Sequence, residues 1–240
     1  MKTITYKLTF IDNVLATTPG NQEIYADYIA SKATAEDNIK SHVKDMTDDT
    51  AVAEVKAEMR EKKAEEIGAH AECFDTETEL EKGTTFFFKD EDGEPYIWSY
   101  WISGFFKSAC SGLKKIKGTK SEKIKAYKKE IDLLIKPFPD ANDKSSRKIK
   151  LHDYGELTMV ERPLRAQTMQ GERVALARSE SAQPGTWIQF DVVILKNDLE
   201  DAVTEWMDYG VFNGLGQWRN SGKGAFEYEV VAIDGKPVKS

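Results

Sequence analysis

Hydrophobic and polar residues alternate at the N-terminus, where TITYKLTFI sets Ile4, Tyr6, Leu8 and Phe10 against Thr5, Lys7 and Thr9. A period of two puts each set on its own face of an extended chain, which predicts a half-buried strand. After Gly20 the pattern changes. TAVAEVKAEMREKKAEEI, residues 50 to 67, consists of helix formers with Glu58, Lys62 and Glu66 at helical spacing, and its apolar stripe of Val52, Val55 and Met59 is thin. A helix with so little to bury lies on the surface, so residues 21 to 82 are expected to be a mostly helical insertion in a core formed by residues 1 to 20 and 83 to 240.

FFFKDEDGEPYIW predicts a hairpin about Asp92-Gly93, and WISGFFKSACSGL a short helix with an aromatic start. In TKSEKIKAYKKEIDLLIKPF, Thr119 and Glu122 have capping-box spacing, and Ile124, Tyr127, Ile131 and Leu134 form one stripe. This predicts a helix over 119 to 136, ended by Pro137 and Pro139. Strands return in KIKL with GELTMVER, then ERVALAR, then TWIQFDVVIL, where Ile188, Phe190, Val192 and Ile194 alternate. NDLEDAVTEWMDYG predicts a further helix, with Asn197 and Glu200 as its capping box, Leu199, Ala202, Val203 and Trp206 as its core face, and Gly210 as its stop. AFEYEVVAI closes the chain as a strand that alternates Phe226, Tyr228 and Val230 with Glu227 and Glu229.

Without the insertion and one extra helix, the order is strand, helix, strands, helix, strand. This βαββαβ order predicts an α+β, ferredoxin-like or RRM-like sheet with helices on one face and the other free. A four-stranded sheet with an open, aromatic-bearing face is a common RNA platform.

The net charge of −7 argues against a nucleic-acid partner until its distribution is considered. Residues 107 to 150 hold 14 Lys and Arg against 5 Asp and Glu, whereas residues 20 to 82 hold 17 acidic and 8 basic residues. An acidic total therefore hides a basic face. No apolar run approaches the roughly 20 residues of a membrane span, and no signal pattern opens the chain, so a cytoplasmic protein without a membrane partner is expected. Cys73 and Cys110 make no disulfide framework.

GLGQWRNSGKGAF interleaves Gly214, Gly216, Gly222 and Gly224 with Trp218, Arg219 and Lys223. Two readings stand open. Either the glycines only turn the chain, or the backbone amides and cations face an anion while the indole offers a stacking surface.

Enzymatic patterns are sparse. Of the three histidines, His42 and His70 lie in the acidic block, and His152 sits beside Asp153 and Tyr154 at a strand end. His70-x-x-Cys73 supplies two zinc ligands of the usual four. No P-loop or nucleophile elbow is present, and the glycine loop leads into a strand, whereas dinucleotide fingerprints precede a helix. No cofactor, metal site or catalytic residue is assigned.

Four segments resemble the repeat-associated RAMP superfamily of CRISPR effector proteins, and within it the Cas7-like backbone subunits. GLGQWRNSGKGAFEYEV resembles the family's glycine-rich loop, TITYKLTFI its opening strand, and PGTWIQFDVVIL the strand entered through a Pro-Gly turn. DEDGEPYIWSYWISGFFKSA is similar to the stretch leading into the first helix, with Ile97, Ile102 and Gly104 at matching spacing; Ser103 stands where the motif has lysine, and Trp98-Ser99 where it has Pro-Gly. The chain also resembles stand-alone proteins of bacteriophages and prophages, whose setting is the bacterial host cell.

The resemblance implies non-catalytic, sequence-independent binding of single-stranded RNA, or DNA, with self-association along the strand. Arg219, Lys223 and the amides from Gly214 to Gly224 would touch phosphates. Lys107, Lys114, Lys115 and Lys117 would form a second basic rim, with Lys107 standing in for the missing motif lysine. Arg162, Arg165 and Arg173, in RPLRAQTMQGER, would sit on a loop or thumb over the strand. Trp218, Trp98, Trp101 and Phe105 are candidates to stack on bases; core packing is the competing reading, and the better one for Trp101 and Phe105. Two other functions are expected as alternatives. The acidic insertion could imitate nucleic acid towards a host defence protein, or the chain could be a metal-independent endoribonuclease. Relatives that cut RNA carry an aspartate after the first strand, where Asp12 and Asp27 lie, and neither is assigned.

Overall fold

The N-terminal alternation forms β1 (Lys2–Phe10), with Ile4, Tyr6, Leu8 and Phe10 buried and the residues between them half-buried. The computed structural model describes residues 1–20, 84–168 and 171–238; the expected insertion at 21 to 82, with Asp27, His42, His70 and Cys73, lies outside them. Short strands β2 (Val14–Leu15), β3 (Thr18–Pro19), β4 (Thr84–Phe86), β5 (Phe88–Lys89) and β6 (Pro95–Trp98) lead to α1 (Tyr100–Leu113). Then follow α2 (Tyr127–Leu134), β7 (Ile135–Phe138), β8 (Lys148–Lys150), β9 (Thr158–Thr168), β10 (Gly171–Ala182), β11 (Trp187–Ile194), α3 (Glu200–Asn213), β12 (Phe226–Ile233) and β13 (Lys236–Pro237).

The chain divides into two compact units. One comprises Met1–Thr17, Lys89–Val160 and Ser179–Ser240, and the other Thr18–Phe88 and Glu161–Arg178. In the first unit an antiparallel sheet runs β13-β12-β1-β11-β7. Numbering β1, β7, β11 and β12 as first to fourth, their spatial order is fourth, first, third, second, with helices in the two crossovers. This is the ferredoxin-like α+β arrangement expected from the element order. One face of the sheet meets the helices: Phe105 of α1 packs edge-on against Phe226 of β12 at 5.8 Å, and Phe106 of α1 lies 5.5 Å from Trp206 of α3.

The other face differs from the aromatic platform the sequence predicts. Thr5, Lys7 and Thr9 of β1 share that face with Trp187, Gln189 and Asp191 of β11 and with Glu227 and Glu229 of β12. Its aromatics are Trp187, whose ring is stacked on His152 at 4.1 Å, and Phe138 of β7, opposite Asp191, which is buried beneath the Arg147 guanidinium. Its carboxylates, Asp191, Glu227 and Glu229, stand against Lys7 and, on β7, Lys136.

The expected helix over 119 to 136 is broken into parts. Thr119 and Glu122 make the expected local contact, the Glu122 N–H donating to Thr119 Oγ1 at 3.2 Å, but it opens only a single turn at Ser121–Lys123. α2 then ends at Leu134, and IKPF becomes β7, with Pro137 opposite Val192. Proline bars the helical region to the residue before it and is tolerated where a strand lies at a sheet edge, so the chain gains more by joining the sheet. Gly210 does not stop α3. A Cβ there would overlap the rings of Phe105 and Phe226, so the glycine is a notch that lets these rings seat against the helix. Asn197 caps nothing either, its side-chain oxygen accepting from the N-terminal ammonium at 3.2 Å.

The described residues of RPLRAQTMQGER, 162–168 and 171–173, are strand where a loop was expected: they belong to β9 and β10, which pair with each other, and Glu161 and Arg178 join across the pair at 2.6 Å. That stretch belongs to the second unit, where β3 also pairs antiparallel with β4.

Candidate nucleic-acid interface

The glycine loop begins where α3 ends. Gly214 takes φ 68° and donates its N–H to the Gly210 carbonyl at 2.7 Å. The buried Leu215 then donates to the Gly224 carbonyl at 2.9 Å, closing the loop on itself, and Gly224 donates to the Asn13 carbonyl at 2.8 Å. Ile11 completes the attachment by donating to the Ala225 carbonyl at 2.9 Å, which fastens the loop to the end of β1. A Cβ on Gly224 would overlap the Leu215 carbonyl oxygen, and one on Gly214 would meet the Lys223 carbonyl. Both residues also have positive φ, so these two glycines are required by closure of the loop, whatever it binds.

Trp218 opens a short turn inside the loop, its carbonyl accepting the Ser221 N–H at 2.8 Å. Its backbone is left-handed, φ 51° and ψ 32°, at the entry to a short turn over Arg219–Ser221, and its side chain is half-buried. A non-glycine residue in this region costs ~1 to 3 kcal/mol, and such strain gathers at functional sites. The neighbouring guanidinium is aimed by α1, Arg219 Nη1 donating to Ser108 Oγ at 3.2 Å. Gly104 lies four residues before Ser108 and so on the same helix face, and it is exposed, with no atom near where its Cβ would be. Arg219 therefore lies against the same face of α1 as the exposed Gly104.

The second cation is held by an internal anion. Lys223 Nζ lies 2.9 Å from Asp12 Oδ1, which also accepts the Asn13 N–H at 2.7 Å. Burial pushes the Asp12 carboxyl up, but the hydrogen bonds from Lys223 and Asn13, with the lysine charge, outweigh it and hold the group below its ordinary range. Asn13 reaches in turn to Ser181 Oγ at 2.9 Å.

The other expected residues are placed elsewhere. Lys107 pairs with Asp132, and Lys114 Nζ donates to the Lys125 carbonyl at 2.6 Å and lies 5.3 Å over the Tyr127 ring. Lys115 and Lys117 are exposed beyond the end of α1. That corner is tied to the first half of α3, through Lys120 to Asp201 and Ser121 to Glu205, while the glycine loop caps the last turn. Along α1, Ser108, which Arg219 touches, lies six residues before Lys114, ~9 Å at 1.5 Å per residue. Arg162 and Arg165 are exposed on β9 in the second unit, and Arg173 falls on β10, its side chain outside the described residues. Trp98, Trp101 and Phe105 are 4%, 8% and 4% exposed, so all three are core residues and Trp98 is not available to a base.

Ser108 and Asn13 enter this site without any local signal, whereas Asp12, just after the first strand, and Gly104, at matching spacing in the stretch before the first helix, each left one. Among the described residues no group of three His, Cys, Asp or Glu is placed to hold a metal ion, and no helix is long and apolar enough to cross a membrane.

No family model and no curated protein matches the chain. Among solved structures, the chain is similar to one in a structure described as the cryo-EM structure of the Type III-B Cmr-beta bound to cognate target RNA. The identity is 12% and the TM-score 0.46, over 97% of this chain and 60% of that one, so this chain spans well under two thirds of its neighbour's length.

Proposed function

We propose that the protein is a RAMP-type, non-catalytic binder of single-stranded nucleic acid, RNA in the first instance, which it grips with the glycine loop. The observation that carries this reading is the strained Trp218 beside Arg219, next to the bare α1 backbone at Gly104. An indole held at energetic cost near the surface has a use if a base stacks on it, and Arg219 is the cation nearest to it in the chain. The outer face of the sheet offers no open aromatic platform, since Phe138 is buried and Trp187 is stacked on His152, and this favours the loop as the binding surface. Lys223 contributes once a phosphate replaces Asp12 beside it.

The test is the affinity of the protein for labelled single-stranded RNA across a salt series. Each phosphate contact releases counterions, so log Kd should rise with log salt by ~0.7 per contact. Arg219→Ala should weaken binding and lower that slope by about one contact. A flat salt response would sink the proposal.

One observation favours a second reading. Asp12 is ionised, lies just after β1 and touches the loop, where a carboxylate could act as a base in metal-independent RNA cleavage. Labelled RNA left intact through long incubation with the protein would dismiss it.

A further inference from the structure

We infer that the lysine corner between α1 and α2 is a second docking surface for the phosphate backbone of a single strand, separate from the glycine loop. It rests on the proposed function only for the choice of nucleic acid as its occupant.

From Lys114 to Lys129 the chain carries eight lysines and one acidic residue, Glu122. Lys120 is neutralised by Asp201, and Lys114 is turned onto the Lys125 carbonyl. The remaining six, Lys115, Lys117, Lys123, Lys125, Lys128 and Lys129, are exposed, and none makes an ion pair with a carboxylate among the described residues.

The nearby carboxylates are used otherwise. Glu122 accepts the Gly118 N–H at 2.9 Å, and Glu130 accepts the Ala126 N–H at 3.3 Å. Glu205 takes the N–H groups of Lys120 and Ser121 at 2.7 and 3.1 Å and the Ser121 hydroxyl at 2.6 Å. These acids stitch the turn between the helices and leave the ammonium groups uncompensated. The Lys114 to Lys125 link folds the end of α1 back beside the start of α2, so the six charges share one corner.

Lysine favours a phosphate chain over an acidic protein as the occupant. Protein interfaces are enriched in arginine and aromatic residues and depleted in lysine, and this corner offers no arginine and only the half-buried Tyr127. A phosphate backbone needs point charges without a fixed fork geometry. The corner begins at Lys114, six residues and ~9 Å along α1 from the Ser108 that Arg219 touches, so the two surfaces meet different phosphates of one strand.

The full chain carrying Lys115→Gln, Lys117→Gln and Lys123→Gln is compared with wild type, with Arg219→Ala, with the combined variant, and with a charge-matched control, Lys144→Gln, Lys196→Gln and Lys236→Gln. The probes are a single-stranded RNA of about 40 nucleotides and polyglutamate. At 0.1 M salt each lost phosphate contact weakens binding about fivefold, so loss of two contacts gives a ~25-fold weaker Kd and a shallower salt slope. The inference expects that loss from the corner variant, little from the control, and a combined loss equal to the product of the corner and Arg219 losses. RNA affinity unchanged in the corner variant, or an equal loss from the control, would overturn it. Loss of polyglutamate binding with RNA binding kept would overturn it in favour of an acidic protein. A loss confined to Arg219→Ala would overturn this inference and leave the loop reading standing, whereas a loss confined to the corner variant would do the reverse.

Discussion

Replacing Trp218 with glycine and with alanine separates the two things this residue does. Its φ of 51° is free for glycine but costs an alanine ~1 to 2 kcal/mol. Both substitutions remove the indole equally. If the indole stacks on a base, each variant should lose ~1 to 3 kcal/mol of binding, about a 5- to 150-fold weaker Kd, measured by fluorescence anisotropy with labelled single-stranded RNA. Their stabilities should differ. Glycine returns ~0.4 to 1 kcal/mol of this through its freer unfolded chain, so the glycine variant should melt above the alanine variant by up to ~6 °C, at about 2 to 4 °C per kcal/mol for a protein of this size. Wild-type affinity in both variants would refute the stacking role. A glycine variant that melts below the alanine variant would refute the strained backbone at Trp218.

Three other outcomes follow from the geometry. Gly104→Ala replaces an exposed glycine inside α1 and should stabilise the protein by ~1 kcal/mol in a denaturant titration, while weakening nucleic-acid binding if a strand approaches the bare backbone there. Gly210→Ala pushes a methyl group into the Phe105 and Phe226 rings and should destabilise by ~1 to 3 kcal/mol or more in the same titration, without any direct effect on the loop's cations. Asp12 has a folded pKa below its unfolded value, so its contribution to stability is complete above the ordinary aspartate range near ~3.9 and is lost as pH falls through the lower folded value. Asp12→Asn should therefore abolish a stability step that wild type shows only in acid, and should leave the pH dependence between about 5 and 8 unchanged.

The strands that alternate cleanly were legible, because a period of two is a property of the local chain. TITYKLTFI and TWIQFDVVIL became the two central strands of the sheet, paired Tyr6 to Phe190. IKPF was not legible as a strand. Its apolar residues continue the helical stripe through Leu134, and only the vacant edge beside β11 turns it into β7. Gly210 misled for a similar reason: a glycine late in a helix reads as a stop, but here two rings from β12 and α1 need its missing Cβ.

The candidate site was legible only in part. Glycines, an indole and two cations within one short loop drew attention to residues 214 to 224 without help from the structure. What they touch was beyond reach, because Arg219 meets Ser108 and Lys223 meets Asp12 across 111 and 211 residues of chain. The charge of the lysine rim was plain in the sequence, while its attachment to α3 depends on Lys120 and Ser121 reaching Asp201 and Glu205.

The most direct test of the central claim is to photo-crosslink a bound single strand to the wild-type protein and identify the attached peptides by mass spectrometry. Crosslinks on the peptide that contains Trp218 and Arg219 are the expected result. Crosslinks confined to the outer sheet face around Trp187, or none at saturating strand, would contradict the assignment of the glycine loop as the binding site.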